Sequence, residues 1–130
     1  FARLSAAFAN TYGLSDRDIL AAILEREQLG STAVGHGVVL PHARIEGLSG
    51  PIGGFARLET PIDFDAVDEQ PCDLVFMLLA PDGAGADHLR ALAKVARVMR
   101  QAELRSKLRR AVSEKEMRDI FCGKVESNVA

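Results

Sequence analysis

His42 follows Pro41 in the run Gly35-His36-Gly37-Val38-Val39-Leu40-Pro41-His42-Ala43-Arg44, and this is where the residue types could do chemistry. Two glycines close together let backbone amides approach a ligand, and proline fixes the chain just before the imidazole. A histidine presented from such a stiffened loop suits nucleophilic work. An imidazole with an ordinary pKa of about 6.5 is largely neutral near pH 7, so one ring nitrogen can attack a phosphoryl group while the other keeps its proton in a hydrogen bond. Residue types alone leave the plainer reading open, in which His42 is a surface or structural residue. They also leave open a hydroxyl nucleophile, Ser31 or Thr32, beside the glycines.

Other reactive types are weaker signals. His36 invites a metal cluster with His42 and His88, but the spacing matches no common zinc arrangement, and no cysteine or carboxylate is an obvious fourth ligand. The acids Asp63, Asp65, Asp68 and Glu69 read as a solvated loop rather than a magnesium site. Cys72 and Cys122 form neither a disulfide framework nor a metal knuckle and read as buried or incidental thiols. No metal and no cofactor is expected.

The elements that must position His42 are legible from periodicity. Leu4 and Phe8 recur at helical spacing over Phe1 to Thr11, with Tyr12-Gly13 as a stop. Ser15 caps a second helix whose first turn carries Asp16 and Asp18, with Leu14 stapled onto Ile19. This helix runs to about Gln28 and ends at Gly30. Glycine punctuation and β-branched residues then predict strands over Thr32 to Val34, Val38 to Leu40 and Ile52 to Leu58. Thr60-Pro61 to Gln70-Pro71 reads as a loop or edge segment rich in acids. Cys72 to Leu79 is nearly all apolar, as expected of a strand buried on both faces.

Asp87 is placed to cap a third helix with Leu89, Leu92, Val95, Ala96 and Met99 on one face. A short helix follows over Glu103 to Arg110. Ser113 to Glu116 is a capping box that opens the last helix, with Val112 and Met117 as its staple, and fraying is expected from about Gly123. Helices before and after a block of strands predict an α/β layer fold.

A chain of 130 residues with 48% hydrophobic side chains suffices for one domain, taken as 1–130. Its 16 basic and 18 acidic residues are intermixed and leave a net charge of −2, which disfavours nucleic acid and membrane surfaces as partners. The apolar run Leu74 to Ala80 is too short to cross a bilayer, and no signal peptide is evident at the start. A cytoplasmic location is expected.

Taken together, the strings REQLGST, GHGVVLPHAR, LETPIDFDAVDEQPCDLVFMLLAP and HLRALAKVARVMR resemble the type-2 enzyme IIA family of the phosphotransferase system, most closely its nitrogen-regulatory branch. The resemblance spans most of the chain from Leu14 onward. It implies a central mixed sheet of about five strands with helices on both faces. It also implies that His42 is the phosphorylated histidine, that His88 lies beside it and helps hold the phosphoryl group, and that Arg26 is near the site. Physical chemistry supports these roles. If Asp87 caps its helix, His88 lies in the first turn, where free amides and the dipole favour an anion. A guanidinium from Arg26 or Arg44 could make charge-assisted bonds to phosphoryl oxygens. The plainer readings are that Arg26 complements a helix dipole, that Arg44 is solvated and that His88 is a surface residue near a cap.

Two departures from the family pattern stand out. Ala43 occupies a position where many relatives have glycine, which restricts the backbone without removing the nucleophile. The strand that relatives carry ahead of the first helix is expected to be absent from this chain, which would expose a sheet edge. The function implied is a phosphocarrier that takes a phosphoryl group from an HPr-like donor and controls partner proteins through its phosphorylation state. The alternatives are a sugar-transport enzyme IIA that passes phosphate to a IIB domain of a fructose- or mannitol-type transporter, and a non-catalytic interaction module of the same fold.

Overall fold

The computed structural model describes residues 1–83 and 85–127. It forms two compact units, Phe1–His88 and Leu89–Ala130. Among the described residues the fold is α/β, with five helices and a mixed five-stranded sheet.

Helix α1 (Ala2–Tyr12) ends at Gly13, whose left-handed conformation, with a φ of 67°, lets Leu14 N–H return to the Ala9 carbonyl at 3.1 Å. Helix α2 (Asp16–Glu27) opens on Ser15, whose hydroxyl accepts from Asp18 N–H at 3.3 Å, the cap expected from sequence. Ile19 and Ile23 of α2 and Phe8 of α1 meet Ala43, Ile45, Met77 and Leu79 of the sheet in one apolar cluster, with Leu14 packed at its margin. That packing joins both N-terminal helices to the strands that carry the site.

Strands β1 (Ala33–Gly35) and β2 (Val38–Val39) form a hairpin around His36 and Gly37. Both turn residues have positive φ, 57° and 79°, as a two-residue turn between right-twisted strands requires. The visible task of the paired glycines is therefore to close a turn, which differs from the ligand approach expected of them. Strand β3 (His42–Ile45) follows, then β4 (Ile52–Ile62) and β5 (Cys72–Pro81).

β5 organises the sheet. β4 runs antiparallel along one edge, while β2 and β3 run parallel along the other in one continuous register, Val39 opposite Val75 and His42 opposite Leu78. Leu40 and Pro41 interrupt what is otherwise a single strand. Leu74 to Ala80 are all buried, so β5 is covered on both faces as its apolar run predicts.

Three extents differ from expectation. His42 opens a strand rather than sitting in a loop, a segment too short and too poor in β-branched residues to signal its state. β4 extends through Thr60 and Pro61 to Ile62. Its pairing with β5 is irregular between Arg57 and Ile62, and an irregular stretch tolerates a residue without an N–H. α3 (Ala86–Met99) begins before Asp87, which lies in the first turn rather than at the cap. In α3 it is His88, Val95, Val98 and Met99 that are buried, whereas Leu89 is 62% exposed.

In the second unit, α4 (Ala102–Arg110) buries Leu104 and Leu108, and Arg105 donates to the Met99 and Arg100 carbonyls at 3.0 and 2.7 Å, closing the end of α3. α5 (Glu114–Ser127) opens on Ser113, which accepts from Glu116 N–H, while the Glu116 carboxylate reaches back to Val112 N–H. Val112 is largely exposed, so the expected staple buries little. α5 continues past Gly123, where fraying was expected; residues 128–130 lie outside the described residues.

Candidate functional site

β3 separates two environments by strand alternation. Ala43 and Ile45 enter the core, which leaves His42 and Arg44 together on the opposite face, His42 half-buried and Arg44 exposed. Across the strand pair they face Leu78 and Ala80 of β5.

His42 Nδ1 lies 2.9 Å from the Leu40 carbonyl oxygen. A carbonyl can only accept, so Nδ1 carries the proton, which in the neutral ring leaves the lone pair on Nε2. Leu40 is an effective anchor. It is buried, its N–H donates to the Thr32 carbonyl at 3.0 Å, and the next residue, Pro41, accepts from Leu78 N–H at 2.9 Å.

His88, in the first turn of α3, brings its ring centroid to 5.5 Å from that of His42, the two planes tilted by 42°. His88 is buried, and its Nδ1 has no hydrogen-bond partner among the described residues. Burial above all, then the neighbouring His42 and Arg44, holds its pKa below the usual imidazole value. Neutral His88 is thus the resting form near pH 7. The influence of Arg44 on it places all three side chains in one electrostatic neighbourhood.

Arg26 stands apart from that trio. At the end of α2 its Nη1 donates to the Gly30 carbonyl at 3.1 Å, and among the described residues no hydrogen bond or ion pair joins it to His42 or His88. The hydroxyls beside the glycines are engaged. Ser31 donates to the Phe64 carbonyl and accepts from Ala33 N–H, while Thr32 donates to the Glu27 carboxylate and is buried.

His36 turns to a different neighbour. Its N–H donates to Asp68 Oδ2 at 2.9 Å, and this bond, with a second from Gln70 N–H, holds the Asp68 carboxyl below the usual range. Asp68 thus ties the acidic loop to the β1–β2 turn, a contact between residues distant in the chain that no local pattern announces. Among the described residues no three His, Cys, Asp or Glu side chains are grouped to hold a metal ion, and no helix is long and apolar enough to cross a membrane.

The chain resembles known proteins over most of its length. Residues 1–123 match the family model described as "Phosphoenolpyruvate-dependent sugar phosphotransferase system, EIIA 2". A nitrogen regulatory protein of Bradyrhizobium diazoefficiens is 52% identical over 106 residues, 82% of this chain and 69% of that protein. A protein of Haloferax volcanii named as a fructose-specific EIIA component is 41% identical over 114 residues, 87% of this chain and 74% of its own length. Among solved structures, nitrogen regulatory protein IIA-Ntr of Neisseria meningitidis superposes with a TM-score of 0.86 at 36% identity, over 92% of this chain and 82% of that one. With its α/β fold and paired histidines, the chain belongs to the EIIA 2 family of the phosphoenolpyruvate-dependent sugar phosphotransferase system.

Proposed function

We propose that His42 accepts a phosphoryl group from a phosphohistidine on an HPr-like donor, and that its phosphorylation state then controls partner proteins. The observation that carries this reading is the His42 Nδ1–H bond to the Leu40 carbonyl, which frees Nε2 for attack. As the Nε2–P bond forms, the donor's N–P bond breaks and the donor imidazole leaves with that electron pair. The accepting ring gains positive character, so the bond from Nδ1–H to the Leu40 carbonyl strengthens during transfer, which is where stabilisation raises rate. Arg44, on the same strand face, supplies positive charge for the phosphoryl oxygens. Neutral His88 can donate a hydrogen bond to one of them without a competing positive charge on the nucleophile's neighbour. Arg26 contributes through the turn it closes, with further guanidinium donors available.

The regulatory role is supported by the nitrogen regulatory relative. The fructose-specific EIIA relative supports the second reading, transfer onward to a IIB domain. Both share the first step. Incubation with a radiolabelled donor system should label the protein and leave His42→Ala unlabelled. The label should be lost in mild acid and kept in alkali, because ring protonation improves the leaving group of a phosphoramidate but not of a phosphate ester. Full labelling of His42→Ala, or an acid-stable label on Ser31 or Thr32, overturns the assignment. Adding a IIB domain separates the two roles, since only a transport component passes its label to the IIB cysteine at a useful rate.

A further inference from the structure

We propose that Glu27 and Thr32 are positioning residues that hold His42 in the tautomer with its proton on Nδ1, an inference that rests on His42 being the phosphoryl acceptor. Glu27 ends α2, where a carboxylate faces the negative end of the helix dipole and gains nothing locally. Both its oxygens are turned onto one residue. Oε1 accepts from the Thr32 hydroxyl, and Oε2 accepts from Thr32 N–H at 3.4 Å. Thr32 is 6% exposed, and its carbonyl accepts Leu40 N–H at 3.0 Å. The Leu40 carbonyl in turn accepts from His42 Nδ1–H at 2.9 Å.

A continuous path therefore leads from the Glu27 carboxylate through Thr32 and Leu40 to the imidazole. It is needed because of Pro41. With no N–H, Pro41 cannot fix the Leu40–Pro41 peptide from its own nitrogen, so that peptide is held by the Pro41 carbonyl on β5 and by Leu40 N–H on Thr32. Without the Thr32 anchor, the plane of the Leu40 carbonyl is held from one side only.

The competing view is that Glu27 merely closes the turn between α2 and β1. That turn already has other fastenings, Arg26 to the Gly30 carbonyl and Ser31 to the Phe64 carbonyl and Ala33 N–H. Of these fastenings among the described residues, the Glu27 bonds alone act on Thr32, the residue that grips Leu40.

Thr32→Val removes the hydroxyl and keeps the shape, Thr32→Ser keeps the hydroxyl, and Glu27→Gln retains one acceptor oxygen at a half-buried site. Nitrogen-15 NMR of the unphosphorylated full chain should show His42 held as the Nδ1–H tautomer in the wild type and in Thr32→Ser, and a tautomer mixture in Thr32→Val. Phosphoryl acceptance per folded molecule should slow roughly ten-fold in Thr32→Val and stay within about two-fold of wild type in Thr32→Ser. Glu27→Gln should shift tautomer and rate in the same sense, and it decides the matter if Thr32→Val does not fold. Wild-type tautomer and rate in the folded variants overturn the proposal and leave a structural clamp. Failure of the wild type to label at His42 removes the phosphocarrier reading instead, while the tautomer measurement still tests the clamp.

Discussion

The two faces of β3 answer to different rules although they share four residues. On one face Ala43 and Ile45 sit in the cluster formed with Phe8, Ile19, Ile23, Met77 and Leu79, where only volume and apolarity matter. On the other, His42 and Arg44 are set by direction, with a ring nitrogen bonded at 2.9 Å to Leu40 and a second imidazole 5.5 Å away. The strand thus couples a deformable requirement to a stringent one. Its packed face fixes where the reactive face points.

The sharpest way to break this comparison is to damage each face separately. Ile45→Ala removes buried side-chain volume and should cost about 2–5 kcal/mol of unfolding free energy, with acceptance per folded molecule largely retained. His42→Ala should do the reverse, abolishing labelling for about 1 kcal/mol or less. Urea denaturation and labelling on the same samples test both. If Ile45→Ala lost transfer as completely as His42→Ala while remaining folded, the packed face would be part of the chemistry and the division would fail.

A second test acts one layer further out. A Cβ on Gly54 of β4 would lie 2.1 Å from the buried ring of Phe8, so Gly54→Ala must displace that ring from the cluster behind Ala43 and Ile45. Overpacking of this kind costs about 1–3 kcal/mol. Denaturation midpoints should show that loss, while acceptance by the folded fraction should hold near the wild-type value. An unchanged midpoint would mean that Phe8 has room to yield and that the cluster is looser than its burial suggests.

What the sequence disclosed follows the same division. Elements with sustained periodicity were legible: α2 with its Ser15 cap, and β5 from an apolar run that must be covered on both sides. His42 stood out because proline and glycine are informative locally. Its strand did not, because four residues of mixed type carry too little pattern to separate strand from loop. The role of His88 beside His42 comes from family resemblance, yet its burial has a physical signal, since it lies four residues before Leu92 on the helical spacing that continues to Val95 and Met99. Leu89, which hydrophobicity alone assigns to that face, points outward. The bonds from Thr32 to Leu40 and from Asp68 to His36 had no local signature at all, because their partners are brought together only by the tertiary fold.

The smallest expected effect concerns His88, the buried member of the pair, and its sign follows from the depressed pKa. An unfolded histidine titrates near 6.5, whereas folded His88 resists protonation to lower pH because burial, His42 and Arg44 all disfavour its charge. Above the unfolded value neither state binds this proton, and the contribution to stability is complete. As pH falls through the mid-sixes the unfolded chain takes up a proton that the folded chain refuses, so stability declines. The decline ends once pH passes below the folded pKa, where both states are protonated. One proton limits the slope to about 1.4 kcal/mol per pH unit. His88→Gln keeps a polar group at this position but cannot titrate, and carboxylates contribute mainly at lower pH. Urea unfolding at pH 7.5, 6.5 and 5.5 should therefore show the wild type losing more stability than His88→Gln across that interval. Parallel losses in the two proteins would mean that His88 is as readily charged folded as unfolded, and the neutral partner assigned to His42 would have to be abandoned.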